Sequence, residues 1–558
     1  MKGVIKIFEQ FFSNCEGNFY GEFHLAKKTI ITIQMKHLNK IILIAVVAVS
    51  LAACKKSFLD RPSQSQISSD NFYKTTADLR LATANLYGGS PWGIWHHEAY
   101  LPMGDIMSGN GNRQWIGDWN QLYTRQVTAG NSVMGGGWKG LYNLIGQCNG
   151  VINSILQKAD KSISDADKNA ALGEAKFIRG TAYYYLAMLW GAVPIIEDNS
   201  KLIQDPLVKR NIVSDVYKFV TNDLSFAAKN LPRTDEKGRV TTWSAKGMLA
   251  KVYLTMSGLG GNGTRNQAYL DSAKNYAGSV CNESGLHLLK NYYNLFQSQY
   301  NDNEEALFSL QWATGSGIGW EEGNLLLTYS PSSDINPQKN GAWTALDVTY
   351  DLYREYSAKD TVRRKATIML NGDFYPELNA AGGGYTAGGQ VMKKHIIGNE
   401  KDNNAPSMTY TASIEHDALL RLADVYLVYA EAILGNNGTT GDAEALKYFN
   451  AVRTRAGVDP VSTISIDDII KERRIEFAFE GQYWLDLVRL SYWNPTKAVN
   501  ILNNQQRVTF AYANGVATPN APDGTAILPA TISSFTMQLP AAEVTADPNL
   551  GEPPVKYY

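Results

Sequence analysis

Cysteine is scarce in this sequence, which has 4 cysteines in 558 residues. Only Cys148 and Cys281 follow residue 54, and neither lies in a CxxC motif or at metal-ligand spacing from a histidine. A zinc site or a cysteine nucleophile therefore has little support. Cys148 shares a helical face with Leu144 and Ile152, which favours a buried free thiol, while a disulfide with Cys281 stays open.

An excess of charge of either sign is also missing. The 52 Lys and Arg residues nearly balance the 53 Asp and Glu residues. No strong positive field is therefore available to hold a polyanion, and we expect no nucleic-acid partner.

Standard catalytic and cofactor motifs are absent as well. The sequence contains no GxSxG, HExxH, GxxxxGK[ST] or GxGxxG. His96, His97 and Glu98 could be taken for metal ligands, but adjacent residues on a loop tend to point apart and no second cluster completes a site. We therefore expect no catalytic residue, no metal and no cofactor.

Three carboxylates form the strongest acidic group. Glu472, Glu476 and Glu480 have the spacing i, i+4 and i+8, which predicts one face of a helix. Two carboxylates can serve as acid and nucleophile in glycoside hydrolysis, but such pairs usually face each other across a cleft from separate elements. We expect an ion-pair network that ties this helix to a neighbour, with a glycosidase as the alternative.

Long apolar runs are missing except near the start of the chain. Residues 41–53 are apolar or small and follow basic residues, which is the order of a secretory signal peptide. At about 13 residues this run is shorter than the roughly 20 that a membrane-spanning helix needs. It ends in Leu51-Ala52-Ala53-Cys54, which resembles a bacterial lipobox. We expect Cys54 to be the lipidated first residue of the mature protein, with an ordinary signal peptide as the alternative.

The domain organisation follows from this segment. Met35 directly precedes the basic residues, so residues 1–53 are interpreted as an upstream extension and a lipoprotein signal peptide that starts at Met35. Residues 54–70 are then a lipid anchor and a polar tether, and residues 71–558 form a single domain.

Helical periodicity dominates the first half of that domain and returns near its end. Apolar residues repeat with a helical period in residues 138–155, 174–190, 213–231, 244–257, 420–434 and 445–456. Gly191 and Pro194 predict the end of the second helix, and Gly180 and Gly247 favour close helix packing. Residues 92–140 and 259–416 are predicted to be loop-rich, ligand-binding insertions. The predicted fold class is mainly α, with tetratricopeptide-like helix pairs packed against an irregular, loop-rich region with short strands.

Aromatic residues in these insertions are the strongest functional signal among 12 tryptophans in the chain. Trp115 and Trp119 lie among Gly, Asp, Asn and Gln, and Trp343 follows Asn340 closely. A flat ring can stack on the C–H face of a sugar while polar side chains bond its hydroxyls. The alternative is that these rings fill the core beneath long loops.

Several segments, in this order, resemble the SusD/RagB family of Bacteroidetes outer-membrane lipoproteins. They are Phe58-Leu59-Asp60 after the lipobox, Trp138 with Tyr142 and Asn149, Glu174-Ala175-Lys176-Phe177-Ile178-Arg179, Arg421-Leu422-Ala423-Asp424, Glu472-Arg473-Arg474, Asp486-Leu487-Val488-Arg489 and Leu539-Pro540. The resemblance implies four tetratricopeptide-like helix pairs packed against an irregular half. It also implies a protein that captures a nutrient, usually a glycan, at the outer face of the outer membrane and delivers it to a SusC-like TonB-dependent transporter.

The resemblance also implies where the ligand binds. Trp343 resembles a stacking tryptophan of the family, and the loop from Trp115 to Trp119 falls where another lies. Trp320 and Tyr329 are further candidates. Some family members handle peptides, so a peptide-binding surface receptor stays open beside glycan capture.

Overall fold

Helices supply most of the regular structure in the computed structural model, which describes residues 72–112, 117–339, 345–408, 412–522 and 524–558. Tyr73–Tyr558 forms one compact unit. Cys54 and the predicted signal peptide and tether lie outside the described residues.

The helices follow one another along this unit. They are α1 (Thr76–Ala84), α2 (Gly89–Trp95), α3 (Gly117–Thr124), α4 (Ser132–Lys158), α5 (Asp165–Trp190), α6 (Lys201–Gln204), α7 (Val213–Asn230), α8 (Thr242–Ser257), α9 (Gln267–Glu283), α10 (Tyr350–Tyr353), α11 (Thr361–Thr367), α12 (Leu422–Leu434), α13 (Ala443–Arg455), α14 (Ile466–Glu476), α15 (Tyr483–Ser491), α16 (Pro495–Asn503) and α17 (Ala541–Ala546). The mainly α fold class is confirmed.

Local sequence signals set the ends of these helices. The Ser164 side chain accepts a hydrogen bond from the backbone N–H of Asp167 and caps the start of α5. Gly191, with φ +71°, follows the last residue of α5, as its sequence predicts. Ser465 and Asp468 form a reciprocal capping box at the start of α14.

Successive helices pack against one another in an array. Contacts join α4 to α5, α5 to α7, α7 to α8, α8 to α9, α9 to α12 and α12 to α13. A methyl group added at Gly180 would lie 3.3 Å from Leu224, and one added at Gly247 would lie 3.0 Å from Val425. The small residues therefore permit close approach of neighbouring helices, as predicted.

The structure corrects the sequence interpretation in two places. Residues 267–283 were assigned to a loop-rich insertion, but they form α9 and pack between α8 and α12. Residues 92–140 include the end of α2, two π-helical turns (His96–Tyr100 and Pro102–Ile106), α3 and the start of α4. Trp92, Trp95 and Trp138 are buried in this part of the core. Glycine and asparagine lower helix propensity, but the burial of these rings outweighs that preference.

Short strands connect segments of the chain, mainly in its loop-rich half. They are β1 (Gly111–Asn112), β2 (Ala306–Ser309), β3 (Asp347–Val348), β4 (Ile368–Met369), β5 (Phe374–Tyr375), β6 (Tyr385–Thr386), β7 (Val391–Met392), β8 (Ala418–Arg421), β9 (Thr439–Thr440), β10 (Ile464–Ser465), β11 (Phe510–Ala513) and β12 (Val516–Pro519). One antiparallel sheet has the order β1-β3-β7-β4, and β2 pairs with β8. These pairings connect segments that are far apart in the sequence.

The core is continuous through the helical array. Cys148 is buried within it, Cys281 is half-buried, and both are free thiols, which closes the question of a disulfide. Among the helices of the described ranges, we find none with the length and apolar character needed to cross a membrane.

Candidate functional site

Two of the predicted ligand-binding aromatics contact each other. The ring centroids of Trp119 and Tyr329 are 5.5 Å apart, and the ring planes meet at 60° in an edge-to-face arrangement. Both side chains are largely buried, with 7% of Trp119 and 8% of Tyr329 exposed. The sequence placed them in separate insertions, and tertiary packing brings them together.

Well-anchored elements carry the two rings. Trp119 lies in α3, where the Asp118 carboxylate accepts a hydrogen bond from the backbone N–H of Ser132 at 3.1 Å. Tyr329 ends a 3₁₀ turn, Leu326–Tyr329. Asn324 holds the start of that turn, because its side-chain oxygen accepts from the backbone N–H of Leu326 at 2.9 Å. Both rings are therefore held by hydrogen-bonded backbone on each side of the contact.

Trp115, Asn340 and Trp343 lie outside the described residues. The described residues that flank these two segments lie next to each other, because Asn112 pairs with Asp347 in the antiparallel register of β1 and β3. The segment 113–116 begins directly after Asn112, and the segment 340–344 ends shortly before Asp347. The sheet therefore brings together the attachment points of the two tryptophan-bearing segments.

Trp320 begins another 3₁₀ turn, Trp320–Glu322. This turn packs against α2, and the Glu322 carboxylate accepts a hydrogen bond from the backbone N–H of Ser90 at 2.8 Å. The backbone at Trp320 is thus attached to the helical array.

The carboxylate group of α14 is an ion-pair network, as predicted. Glu472 contacts Arg363 at 2.7 Å and Glu476 contacts Arg421 at 2.6 Å. Glu480 contacts Arg421 and Lys394, each at 2.8 Å. These carboxylates are buried and join α14 to α11 and β8.

The prediction of a single helical face for the three carboxylates was wrong in one respect. α14 ends at Glu476, and Glu480 lies in the following turn. Phe479 and Gly481 both have positive φ, +62° and +66°, and reverse the chain there. Glu480 still reaches the network because this turn brings the carboxylate back over Arg421.

The electrostatics of this network differ from those of a general acid. Burial raises the pKa of Glu476, but Arg455, Arg421 and Arg363 outweigh it and hold that pKa well below its usual range. A general acid in glycoside hydrolysis needs the opposite, a raised pKa. Glu476 therefore acts as a permanently charged structural group.

His96, His97 and Glu98 diverge, as the sequence analysis expects, although they lie in a π-helical turn and not on a loop. Nε2 of His96 lies 2.8 Å from Asp417, whereas Nε2 of His97 lies 3.1 Å from the Gly323 carbonyl oxygen. They do not form one metal site.

Sequence reasoning missed a second group, formed by His395, Glu415 and Asp417. Their ligand atoms lie within 4.8 Å of one another, so these residues could hold a metal ion. The spacing of Glu415 and Asp417 was a usable signal, since residues i and i+2 of an extended segment face the same side. His395 could not be added from the sequence, because it comes from a different segment.

An array of packed helix pairs that carries a loop-rich half defines a helical protein of the tetratricopeptide-like class. Comparison with known proteins makes this more specific. Residues 257–555 match the model of the SusD family, and residues 57–254 match a family described as starch-binding and associating with the outer membrane. The chain belongs to the SusD family.

Individual relatives agree with this assignment. A SusD-like protein of Bacteroides ovatus is 38% identical over 548 residues, which cover 93% of this chain and 98% of the relative. A solved crystal structure with 36% identity superimposes with a TM-score of 0.83 and covers 87% of this chain and 99% of its own. Another, a crystal structure with a xylogluco-oligosaccharide, has 36% identity and a TM-score of 0.80, and covers 86% of this chain and 99% of its own.

Proposed function

We propose that this protein captures an oligosaccharide or polysaccharide at the cell surface and delivers it to a SusC-like TonB-dependent transporter in the outer membrane. The contact between Trp119 and Tyr329 carries the proposal, because two candidate aromatics from separate insertions meet there. Membership of the SusD family and its starch-binding description support it.

The proposed site extends from this aromatic pair to the tryptophan-bearing segments. The pairing of Asn112 with Asp347 supports a common position for Trp115 and Trp343, whose rings would stack on sugar faces. Asn340 would bond the sugar hydroxyls beside them. Trp320 is the remaining candidate of this surface.

The first ligand to test is a xylogluco-oligosaccharide, since a relative with 36% identity was solved with one. Calorimetric titration of the purified protein with this ligand, with starch oligosaccharides and with a peptide pool separates the candidate classes. We expect saturable binding of one glycan class. Binding of peptides but of no glycan would overturn glycan capture in favour of a peptide receptor.

The proposed role includes no chemical conversion of the glycan. The lowered pKa of Glu476 supports this, because the carboxylate is unsuited to donate a proton to a leaving group. Reducing ends released in the same tubes measure hydrolysis directly. We expect none above a control without protein, and release that depends on Glu476 would contradict the proposal.

The proposed location rests on the N-terminal segment. Residues 1–53 would be removed, Cys54 would carry the lipid, residues 54–70 would tether the ligand-binding domain, 71–558, and the protein would face the cell exterior. Replacing Cys54→Ser should abolish incorporation of labelled fatty acid and release the protein from the membrane fraction. Labelling that survives this substitution would show that another residue is modified.

The proposed partner can be tested with the same cells. Affinity purification of the lipidated protein should recover a SusC-like transporter, and the Cys54→Ser variant should recover much less because it is no longer held at the membrane. If neither the lipidated protein nor the Cys54→Ser variant recovers a transporter, the partner assignment is contradicted.

A further inference from the structure

A buried cluster of two histidines and two carboxylates contains none of the residues proposed to bind the glycan. We define the four-residue cluster as His96, His395, Glu415 and Asp417. These residues are only 0%, 2%, 2% and 4% exposed. They come from three separate parts of the chain: the π-helical turn after α2, the segment after β7 and the segment before β8. Burial of so many ionisable groups is costly unless each of them has a partner.

The orientation of His395 leaves one ring nitrogen facing the carboxylates. Its Nε2 lies 2.8 Å from the backbone carbonyl oxygen of Phe479. A carbonyl oxygen only accepts hydrogen bonds, so Nε2 carries a proton. In the neutral ring, Nδ1 then presents its lone pair to Glu415 and Asp417. Histidines that bind metals are commonly oriented in this way by a hydrogen bond from the other nitrogen.

Asp417 is oriented in a similar way. Its Oδ2 accepts hydrogen bonds from Trp312 Nε1 at 2.9 Å and from Asn324 Nδ2 at 2.7 Å. Its Oδ1 lies 3.1 Å from Nδ1 of His395. One oxygen is therefore held by neutral donors, and the other is directed into the cluster.

The polar atoms that meet in the cluster are not paired by hydrogen bonds. Within the described ranges, Nδ1 of His395, Oε2 of Glu415, Oδ1 of Asp417 and both ring nitrogens of His96 have no aligned hydrogen-bond partner. Nδ1 of His395 is 3.4 Å from Glu415 Oε2, and Nε2 of His96 is 2.8 Å from Asp417 Oδ2, yet neither contact has hydrogen-bond alignment. Buried polar atoms without a well-aligned hydrogen bond are destabilising.

We propose that His395, Glu415 and Asp417, three residues of the four-residue cluster, hold one divalent transition-metal ion of the zinc class. Ligands about 2.0–2.1 Å from a tetrahedral ion lie roughly 3.3 Å apart, close to the separations of Nδ1 from the two carboxylate oxygens. The two carboxylates balance the charge of a divalent ion, and the neutral imidazole of His395 adds a third ligand. Imidazole ligands favour zinc over calcium, which takes oxygen ligands.

The space and the surroundings fit such an ion. His395, Glu415 and Asp417 line a cavity of ≈ 20 Å³, which is room for about one water molecule or ion. Asn324 links the cluster to the turn that carries Tyr329, because it donates to Asp417 and accepts from Leu326. The ion would thus be structural and would stabilise the backbone beneath the proposed aromatic surface, although the proposal does not depend on glycan binding.

Metal content of the purified full-length protein tests the site. After purification without chelators and exchange against excess zinc, we expect one tightly held zinc per chain by mass spectrometry. Glu415→Gln and His395→Gln should weaken zinc binding at least about tenfold. His287→Gln is the matched control, since His287 is an exposed histidine outside the cluster, and it should retain full binding. Zinc should raise the unfolding temperature of the wild type and of this control. It should raise the unfolding temperature of the two cluster variants much less.

X-ray absorption of the zinc-loaded wild type keeps the test decisive if a variant fails to fold. One imidazole and two carboxylate ligands from the protein would support the proposal. Zinc retained equally by the Glu415→Gln variant, other ligands in the absorption spectrum, or no zinc bound at all would overturn it. In the last case His395 would carry the balancing charge as an imidazolium.

Discussion

Oε1 of Glu476 lies 2.6 Å from Nη1 of Arg421, and the two side chains are 0% and 3% exposed. Arg363 and Arg455 contact the same carboxylate. Removing one charge from such a group leaves the others buried without a partner, which costs more than the pair contributes when it is intact.

The substitution Glu476→Gln should therefore be strongly destabilising. We expect a loss of roughly 3–5 kcal/mol in the free energy of unfolding, because three arginines lose their shared counter-ion. Urea unfolding followed by circular dichroism measures it. Asp459→Asn is the control, since Asp459 forms an ion pair with Lys359 in which both side chains are mostly exposed, and it should cost about 1 kcal/mol or less. Similar losses in the two variants would contradict the role assigned to burial.

The stability of the protein should also depend on pH through Glu480. Burial raises the pKa of this carboxyl, but Arg421 and Lys394 lower it more, so its folded pKa lies below the ordinary value of 4.5. The folded carboxylate stays charged where the unfolded one takes up a proton. The contribution of Glu480 to the free energy of unfolding is complete above the ordinary pKa and is lost as the pH falls through the folded pKa.

Thermal unfolding of the wild type and of Glu480→Gln between pH 7 and pH 3 tests this sign. The wild type should have the higher unfolding temperature at pH 7, and the difference should shrink below about pH 4.5. A difference that grows on acidification would show that the folded pKa is raised instead.

Helix packing makes a separate prediction at two glycines. Gly247→Ala should lower the free energy of unfolding by about 1–3 kcal/mol, because the new methyl group would lie 3.0 Å from Val425 on α12. Gly150→Ala is the matched control in α4, where nothing lies within 4 Å of the new methyl group. It should raise stability by roughly 0.5–1 kcal/mol through helix propensity. The same sign for both substitutions in urea unfolding would refute the packing explanation.

Alanine variants should distinguish a tryptophan that stacks on the glycan from one that also packs in the core. Trp343→Ala should weaken glycan binding by about 1–3 kcal/mol in calorimetric titration if its ring stacks on a sugar. Trp119→Ala should also lower the free energy of unfolding by roughly 3–5 kcal/mol, because the ring is largely buried against Tyr329.

An exposed ring provides the control for these variants. Tyr558 is 48% exposed and lies beside α7, so Tyr558→Ala should leave glycan affinity unchanged. Affinity that is unchanged in Trp343→Ala as well would remove Trp343 from the proposed site.

Local secondary structure and the charge pairing of one helix could be predicted from residues close together in the sequence. The helical period of residues 174–190 and the stop at Gly191 involve neighbours within a few positions, and the structure confirms them. The spacing of Glu472 and Glu476 likewise predicted one helical face and an ion-pair network. Residues 267–283 were missed because their polar composition weakens the apolar stripe, and α9 is stabilised by packing on α8 and α12.

The amino-acid sequence by itself determined several of the long helices, the end of α5 and the family to which the chain belongs, because these depend on short-range spacing and on ordered motifs. Only the tertiary structure decided that Trp92 is buried, that Trp119 meets Tyr329, and that His395 faces Asp417. Each of those outcomes depends on segments separated by many residues. Their positions follow from how the helices and short strands pack together, and no local pattern encodes that packing.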